Sequence, residues 1–123
     1  MDQYNWDTIP PEDLNPKTVR QAIHTERMTI ARLLLRQGAV VPMHRHENEQ
    51  VTMMQSGALK FIFGGEQGGA EQGREIIVRA GDVLQIPPNV PHMVEALEDS
   101  MATDLFSARR EDWIRGDDAY LRG

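Results

Sequence analysis

The chain contains no cysteine. That excludes a disulfide framework, a thiolate nucleophile, a thiolate metal site and an iron–sulfur cluster, so any metal must be held by His, Asp, Glu, Asn or Gln. No apolar run approaches the roughly 20 residues that a membrane-spanning helix needs, which argues against a transmembrane role. Positive charge is scarce as well. Thirteen Lys and Arg against 19 Asp and Glu leave a formal net charge of -6, so no broad cationic face is expected to collect nucleic-acid phosphates. The opening residues Met1 to Trp6 lack the basic region and apolar core of a secretory signal, which makes the cytoplasm the expected address. Among the cations, lysine is nearly missing: 11 are Arg and 2 are Lys, and arginine is the residue suited to bidentate carboxylate recognition.

What is there fits one domain. With 123 residues there is material for a single core. From Met1 to Pro16 the chain is polar and broken by Pro10, Pro11 and Pro16, which predicts an arm rather than a helix. Short β-favouring runs bounded by Gly, Pro and Asn follow at Thr18 to His24, Met28 to Arg36, Glu49 to Gln55, Ala58 to Phe63, Arg74 to Val78, Val83 to Ile86, His92 to Leu97 and Met101 to Phe106. Eight short strands predict an all-β sandwich or barrel. The glycine-rich stretch Gly64 to Gly69 reads as a hairpin loop, since it lacks the Lys-Ser/Thr ending of a phosphate-binding loop. From Arg109 to Leu121 a short helix is expected, anchored by Trp113 and Ile114 and broken at Gly116. The expected organisation is an arm over residues 1–16, a β-barrel over 17–108 and a helical or irregular tail over 109–123.

Four histidines are present, and His44 and His46 lie two apart just after Pro42. On an extended segment both imidazoles project from one face, which is metal-ligand spacing. Gln50 would lie about 13 Å from His46 on a straight strand, so a turn at Glu47-Asn48 is needed to bring it back to the same centre. His92, placed after the stiff Pro87-Pro88-Asn89-Val90-Pro91 segment, is the third candidate imidazole. His24 has no such setting and reads as a surface or cross-strand histidine.

These residues resemble a known family. Gly38, His44-Arg45-His46, Gln50 and Gly57 look like the first cupin motif, G-x5-H-x-H-x3/4-E-x6-G. Gly81, Pro87, Asn89, His92 and Ala96 look like the second, G-x5-P-x-G-x2-H-x3-N. The resemblance implies a small jelly-roll barrel with a divalent transition metal held by His44, His46, Gln50 and His92. Three positions depart from the motifs: Gln50 stands for Glu, Asn89 for Gly and Ala96 for Asn. With Gln50 the four ligands are all neutral, so a bound ion would keep its full charge and act as a strong Lewis acid toward anionic oxygens. Whether that ion is Zn, Ni, Fe, Mn, Co or Cu is not encoded.

A second group of residues follows. If Leu97 to Asp99 closed a hairpin, Ala96 would pair with Ser100 and His92 would face Asp104. Phe106 then shares the face of Asp104, and Arg110 lies where the chain can fold over the barrel mouth. Arg20 and Arg32, on early strands, read as surface residues more than as lining of the site. Asp104-x-Phe106-x-x-x-Arg110 followed by Glu111-Asp112-Trp113 is similar to the ending of the KdgF group of small cupins. That resemblance implies ring opening of 4,5-unsaturated monouronates to linear keto sugar acids, with Asp104, Phe106 and Arg110 as the catalytic group. In those roles Arg110 would hold the substrate carboxylate, Asp104 would move protons and Phe106 would shape one wall.

The leading expectation is therefore a metal-dependent isomerase- or lyase-type cupin acting on a small anionic, sugar-like molecule, in a homodimer that pairs through the Thr18 to His24 strand. Two other classes stay open at this level. One is a non-haem dioxygenase, disfavoured by the lack of an anionic protein ligand and distinguished by its need for oxygen. The other is a sugar-acid-binding or sensor cupin, which would return its ligand unchanged.

Overall fold

The computed structural model describes residues 1–64 and 73–123, so the glycine-rich loop expected at Gly64 to Gly69 lies, from Gly65 onward, outside the described residues. Among the described residues ten strands run in order: β1 (Glu12–Asn15), β2 (Thr18–His24), β3 (Met28–Leu35), β4 (Val40–His44), β5 (Glu49–Ser56), β6 (Ala58–Phe63), β7 (Glu75–Arg79), β8 (Val83–Ile86), β9 (His92–Ala96) and β10 (Ser100–Ser107). They form a six-stranded sheet in the order β1-β2-β3-β10-β5-β8 and a four-stranded sheet in the order β4-β9-β6-β7. Every pairing is antiparallel. One helix, α1 (Glu111–Arg115), and a 3-10 turn at Ala119–Leu121 complete the tail. The all-β jelly-roll expectation is met, and the eight expected strands are present with ends shifted by at most two residues.

Strand alternation places the site. In β10, Ser100, Ala102, Asp104 and Phe106 point inward, and in β9 His92, Val94 and Ala96 do, as the two-residue period of a strand requires. The inward residues of β5 are Gln50, Thr52 and Met54. Register sets Phe106 beside Gln50, Asp104 beside Thr52 and Ala102 beside Met54. One end of the barrel interior is thus polar. The other is apolar, filled by a cluster that includes Leu35, Met54, Leu59, Phe61, Ile86 and Val94. A second cluster, Leu14, Ala31, Phe106, Trp113 and Leu121, packs the tail onto the polar end.

Three expectations need correction. The arm over 1–16 contains β1, which pairs with β2; the prolines at 10, 11 and 16 flank this strand without interrupting it, so they bound it instead of excluding it. That pairing covers Thr18 to Arg20 of β2, while β2 pairs with β3 along its whole length. The hairpin joining residues 92–97 to 101–106 does not form. β9 sits between β4 and β6, β10 between β3 and β5, and Leu97 to Asp99 cross from one sheet to the other. Finally, Ile114 is 46% exposed and only Trp113 of the expected helix anchors is buried.

The motif glycines have conformational reasons. Gly57 has φ +83, and a Cβ there would collide with the Asp99 carbonyl and the Ser100 side chain. Gly57→Ala therefore combines left-handed strain with a backbone clash, and we expect it to lower unfolding stability by about 3 kcal/mol, seen as a reduced urea midpoint. Asn89, standing where the motif has Gly, also has positive φ, 63, a conformation that Asn tolerates better than other side chains.

Candidate metal centre

His44, His46 and His92 converge. Their ligand atoms all lie within 4.8 Å of one another, and the rings of His44 and His92 are 4.3 Å apart between centroids. His44 ends β4 directly opposite His92 on β9. Each ring is aimed by a main-chain carbonyl two residues away: Nδ1 of His44 contacts Pro42 O at 2.8 Å, Nδ1 of His46 contacts Asn48 O at 2.9 Å, and Nδ1 of His92 contacts Val90 O at 2.8 Å. A carbonyl can only accept, so each Nδ1 carries the proton and each Nε2 presents a lone pair. This is the outer support typical of imidazole ligands.

The rings are kept uncharged. Burial pushes the His44 pKa down to about 3, with the neighbouring His92 adding to the effect. Burial and then Arg110 push His46 down to about 4, and burial lowers His92 as well. Neutral imidazole is the form that binds a metal.

Gln50 stands beside them, brought back by the bend at Glu47-Asn48 as the sequence requires. Its Oε1 lies 3.1 Å from Nε2 of His46, while its Nε2 donates to Thr52 Oγ1 at 3.0 Å. A neutral His46 that donates from Nδ1 has no proton on Nε2, so two lone pairs face each other across that 3.1 Å. A cation between them resolves the conflict, and the donor set fits a divalent ion. Ligand spreads of this size close to one ion with small ring rotations, given metal–nitrogen bonds of about 2.0–2.1 Å.

Asp104 is tied to this group through Thr52, whose hydroxyl donates to Asp104 Oδ1 at 2.6 Å. The hydrogen-bonded order is Gln50, Thr52, Asp104. Burial raises the Asp104 pKa to about 6, against the opposing pull of the Thr52 hydrogen bond and of Arg110. A carboxyl group with that pKa is available in both protonation states near neutral pH.

Arg110 is almost fully buried, 2% exposed. Its Nε and Nη2 donate to the two carboxylate oxygens of Asp112 at 3.0 and 2.8 Å, and Nη2 also reaches Tyr120 Oη at 2.8 Å. The guanidinium lies 4.7 Å from the Phe106 ring centre and 4.4 Å from that of Trp113. Burial opposes its charge, but Asp112 and Tyr120 outweigh that and hold its pKa above the ordinary value. Phe106 meets His46 edge-on at 5.6 Å.

Asp104, Phe106, Arg110, His44, Gln50 and His92 all line one cavity, so the residues singled out from sequence come together even though the hairpin invoked for Asp104 does not exist. Asp104 arrives by facing inward from the opposite sheet. Arg20 and Arg32 do not line that cavity. Arg20 is no surface residue either: it is 2% exposed and pairs with the buried Asp118 at 2.8 Å, while its guanidinium lies 4.3 Å from the Trp113 ring centre. His24 is the cross-strand histidine expected, with Nδ1 2.8 Å from Thr29 Oγ1. Three residues escaped the sequence reading. Thr52 had a legible signal, being two residues from Gln50 on the same strand face. Asp112 had one too, lying two residues from Arg110, whereas Tyr120 had none, since its contacts depend on how the tail folds back.

Two antiparallel sheets closed around three converging imidazoles define a class of small β-barrel proteins with a histidine group at one end that could hold a metal ion. The Cupin domain family profile matches residues 31–107, and the chain belongs to the cupin family. Among solved structures, KdgF from Halomonas sp. superposes with a TM-score of 0.78 at 28% identity, covering 91% of this chain and 99% of that one. An RmlC-like cupin from Shewanella frigidimarina gives 0.78 at 22% identity, with 92% and 96% covered. Oxalate decarboxylase from Bacillus subtilis gives 0.71 at 20% identity and shares the fold over 85% of this chain and 29% of its own. No curated protein matches. No helix among the described residues is long and apolar enough to cross a membrane.

Proposed function

We propose that the protein is a metal-dependent isomerase that opens the ring of 4,5-unsaturated monouronates to linear keto sugar acids. The observation that carries this reading is the joining of an all-neutral ligand set to a proton-exchanging carboxyl through Gln50, Thr52 and Asp104, in one cavity with Arg110. The likeness to KdgF at 28% identity over nearly the whole of both chains supports the substrate class.

His44, His46, Gln50 and His92 would hold the ion, and when bound it supplies Lewis-acid stabilisation of negative oxygen. Arg110 holds the uronate carboxylate, because its guanidinium is permanently charged and presents a planar donor edge. Asp104 takes the proton of the anomeric hydroxyl. The bond between C1 and the ring oxygen then breaks, C1 becomes an aldehyde, and the electron pair leaves an enolate across C4 and C5. Asp104 returns the proton to C4, and C5 becomes a ketone. One proton leaves and one returns, so no oxidant or reductant is needed. Phe106 closes one side and keeps water from the enolate.

The test is incubation of metal-loaded protein with an unsaturated monogalacturonate under argon and in air. The expected result is equal loss, in both, of the ultraviolet absorbance of the conjugated C4–C5 double bond. Dependence on oxygen would favour a dioxygenase, and absence of turnover with every one of Zn, Ni, Fe, Mn, Co and Cu would overturn the reading.

A further inference from the structure

The cavity at the polar end has about 50 Å³ of open space. That is room for one or two water molecules, against roughly 300–1,000 Å³ for ordinary small-molecule sites. Part of its wall is the chain's own tail. Tyr120 and Leu121 line the same cavity as His44, His92 and Arg110. The Tyr120 ring lies over His44 with centroids 4.8 Å apart and planes tilted by 30°. Its hydroxyl oxygen accepts from Arg110 Nη2 at 2.8 Å, so a neutral oxygen of the protein occupies a donor of the residue assigned to the substrate carboxylate. Tyr120 is half-buried, at the mouth and not in the core.

The attachment of this segment is graded. Asp118 is 1% exposed and pairs with buried Arg20, and Gly116, in the left-handed conformation, caps α1 with its N–H on Asp112 O and Trp113 O. These are firm. Beyond Asp118, Leu121 is buried in the second apolar cluster and its carbonyl accepts from Asn15 Nδ2 at 2.9 Å, and Arg122 donates to both carboxylate oxygens of the buried Asp118 at 3.1 and 3.2 Å. The backbone on either side of Tyr120 is thus held, and the half-buried Tyr120 side chain is the more lightly held part of the segment.

Resting on the function proposed above, we propose that the Tyr120 side chain is a gate at the cavity mouth, set between the anchored Asp118 and Leu121, and that its hydroxyl is the latch, occupying in the closed state the place that a substrate carboxylate takes on Arg110. Substrate then competes with Tyr120 for the guanidinium, and a carboxylate displaces a phenol because a charge-assisted hydrogen bond to an ionised acceptor is the stronger. A neutral sugar cannot make that exchange. The gate therefore selects for anionic ligands at the step of entry as well as at the step of binding.

The experiment uses full-length, zinc-loaded protein as wild type, Tyr120→Phe and Tyr120→Ala, each checked for zinc content and melting temperature. Two quantities are measured: the rate at which dipicolinate strips the zinc, and the affinity for D-galacturonate, with galactose as the uncharged control. Tyr120→Phe keeps the ring on His44 and loses the hydroxyl, so it should bind galacturonate about tenfold more tightly, equivalent to about 1.4 kcal/mol, with little change in stripping. Tyr120→Ala should give up its zinc about tenfold faster. If wild type binds galacturonate and Tyr120→Phe binds it no more tightly, the latch is overturned. Unchanged stripping in Tyr120→Ala overturns the gate. If no variant binds galacturonate, the uronate reading of the site fails and the stripping rates alone decide the gate.

Discussion

Replacing Asp104 by Asn should reduce kcat/KM for unsaturated uronates by about 10³-fold while zinc content stays at the wild-type level. A positioned acid–base group contributes roughly 10²–10⁴-fold, and the amide keeps the acceptor that Thr52 Oγ1 now reaches at 2.6 Å but cannot exchange a proton. The same substitution has a thermodynamic signature that does not depend on activity, measured in metal-free protein. The folded-state pKa of Asp104 is raised from 3.8 to about 6, chiefly by burial. Below pH 4 the group is protonated in folded and unfolded chains alike and contributes nothing. Between pH 4 and 6 the unfolded chain ionises while the folded one holds its proton, so this residue makes stability fall as pH rises. Above pH 6 the full cost, on the order of 3 kcal/mol, is present. In Asp104→Asn that cost is absent. The stability difference between variant and wild type should therefore shift toward the variant by about that amount between pH 4 and 7, read from urea melts across the range. A flat difference would show that the carboxyl does not carry the proton assigned to it.

Zinc binding should fall on the order of 10³-fold in His92→Ala, above the 10–100-fold typical of losing an outer-shell partner. His92 is 1% exposed and faces His44 across the pairing of β4 and β9, so no neighbouring side chain can substitute for it. Equilibrium dialysis with elemental analysis measures the loss, and a His92→Ala protein that retains one zinc per chain would refute the ligand set. The pH dependence of the wild type is equally specific. With His44 pushed down to about 3 and His46 to about 4 by burial, neither ring has to release a proton to bind at pH 7. Affinity should stay nearly level as pH falls through 6.5, where a surface His-x-His pair would lose it, and decline only near pH 4. The metal-free protein behaves in the complementary way. Its unfolded chain gains protons below pH 6.5 that the folded rings refuse, so these histidines make stability drop from pH 6.5 toward about 4.

The sequence was most legible where geometry is local. His44 and His46 share a face because a strand has a period of two, and the bend at Glu47-Asn48 that returns Gln50 was required by distance alone. Thr52 was within reach of the same reasoning. Partners that depend on which sheet a strand joins were not legible. Asp104 was placed near the centre through a hairpin between residues 92–97 and 101–106, whereas β9 and β10 lie in different sheets; Asp104 and His92 still line one cavity, because both strands turn their polar alternation toward one barrel end. β1 was hidden because three prolines in sixteen residues outweigh four strand residues in any local count. Arg20 looked like a surface cation, since nothing near it in sequence announces Asp118, its partner 98 residues on. The tail was least readable of all. Its contacts with Arg110 and His44 follow from a fold-back over the barrel mouth that no periodicity records.

The carbonyls that hold His44, His46 and His92 belong to Pro42, Asn48 and Val90 and are main chain in every case. A carbonyl survives any side-chain replacement. The aim of the three imidazoles is therefore insulated from sequence drift around them, and only a bend in the backbone can turn a ring away. In the proposed function, proton handling and carboxylate recognition would rest on the hydroxyl of Thr52 and the carboxylate of Asp112, which a single codon change removes. On one barrel the ion-holding half can persist while the other half is rebuilt for a different acid, so substrate choice is free to change faster than the metal centre that serves it.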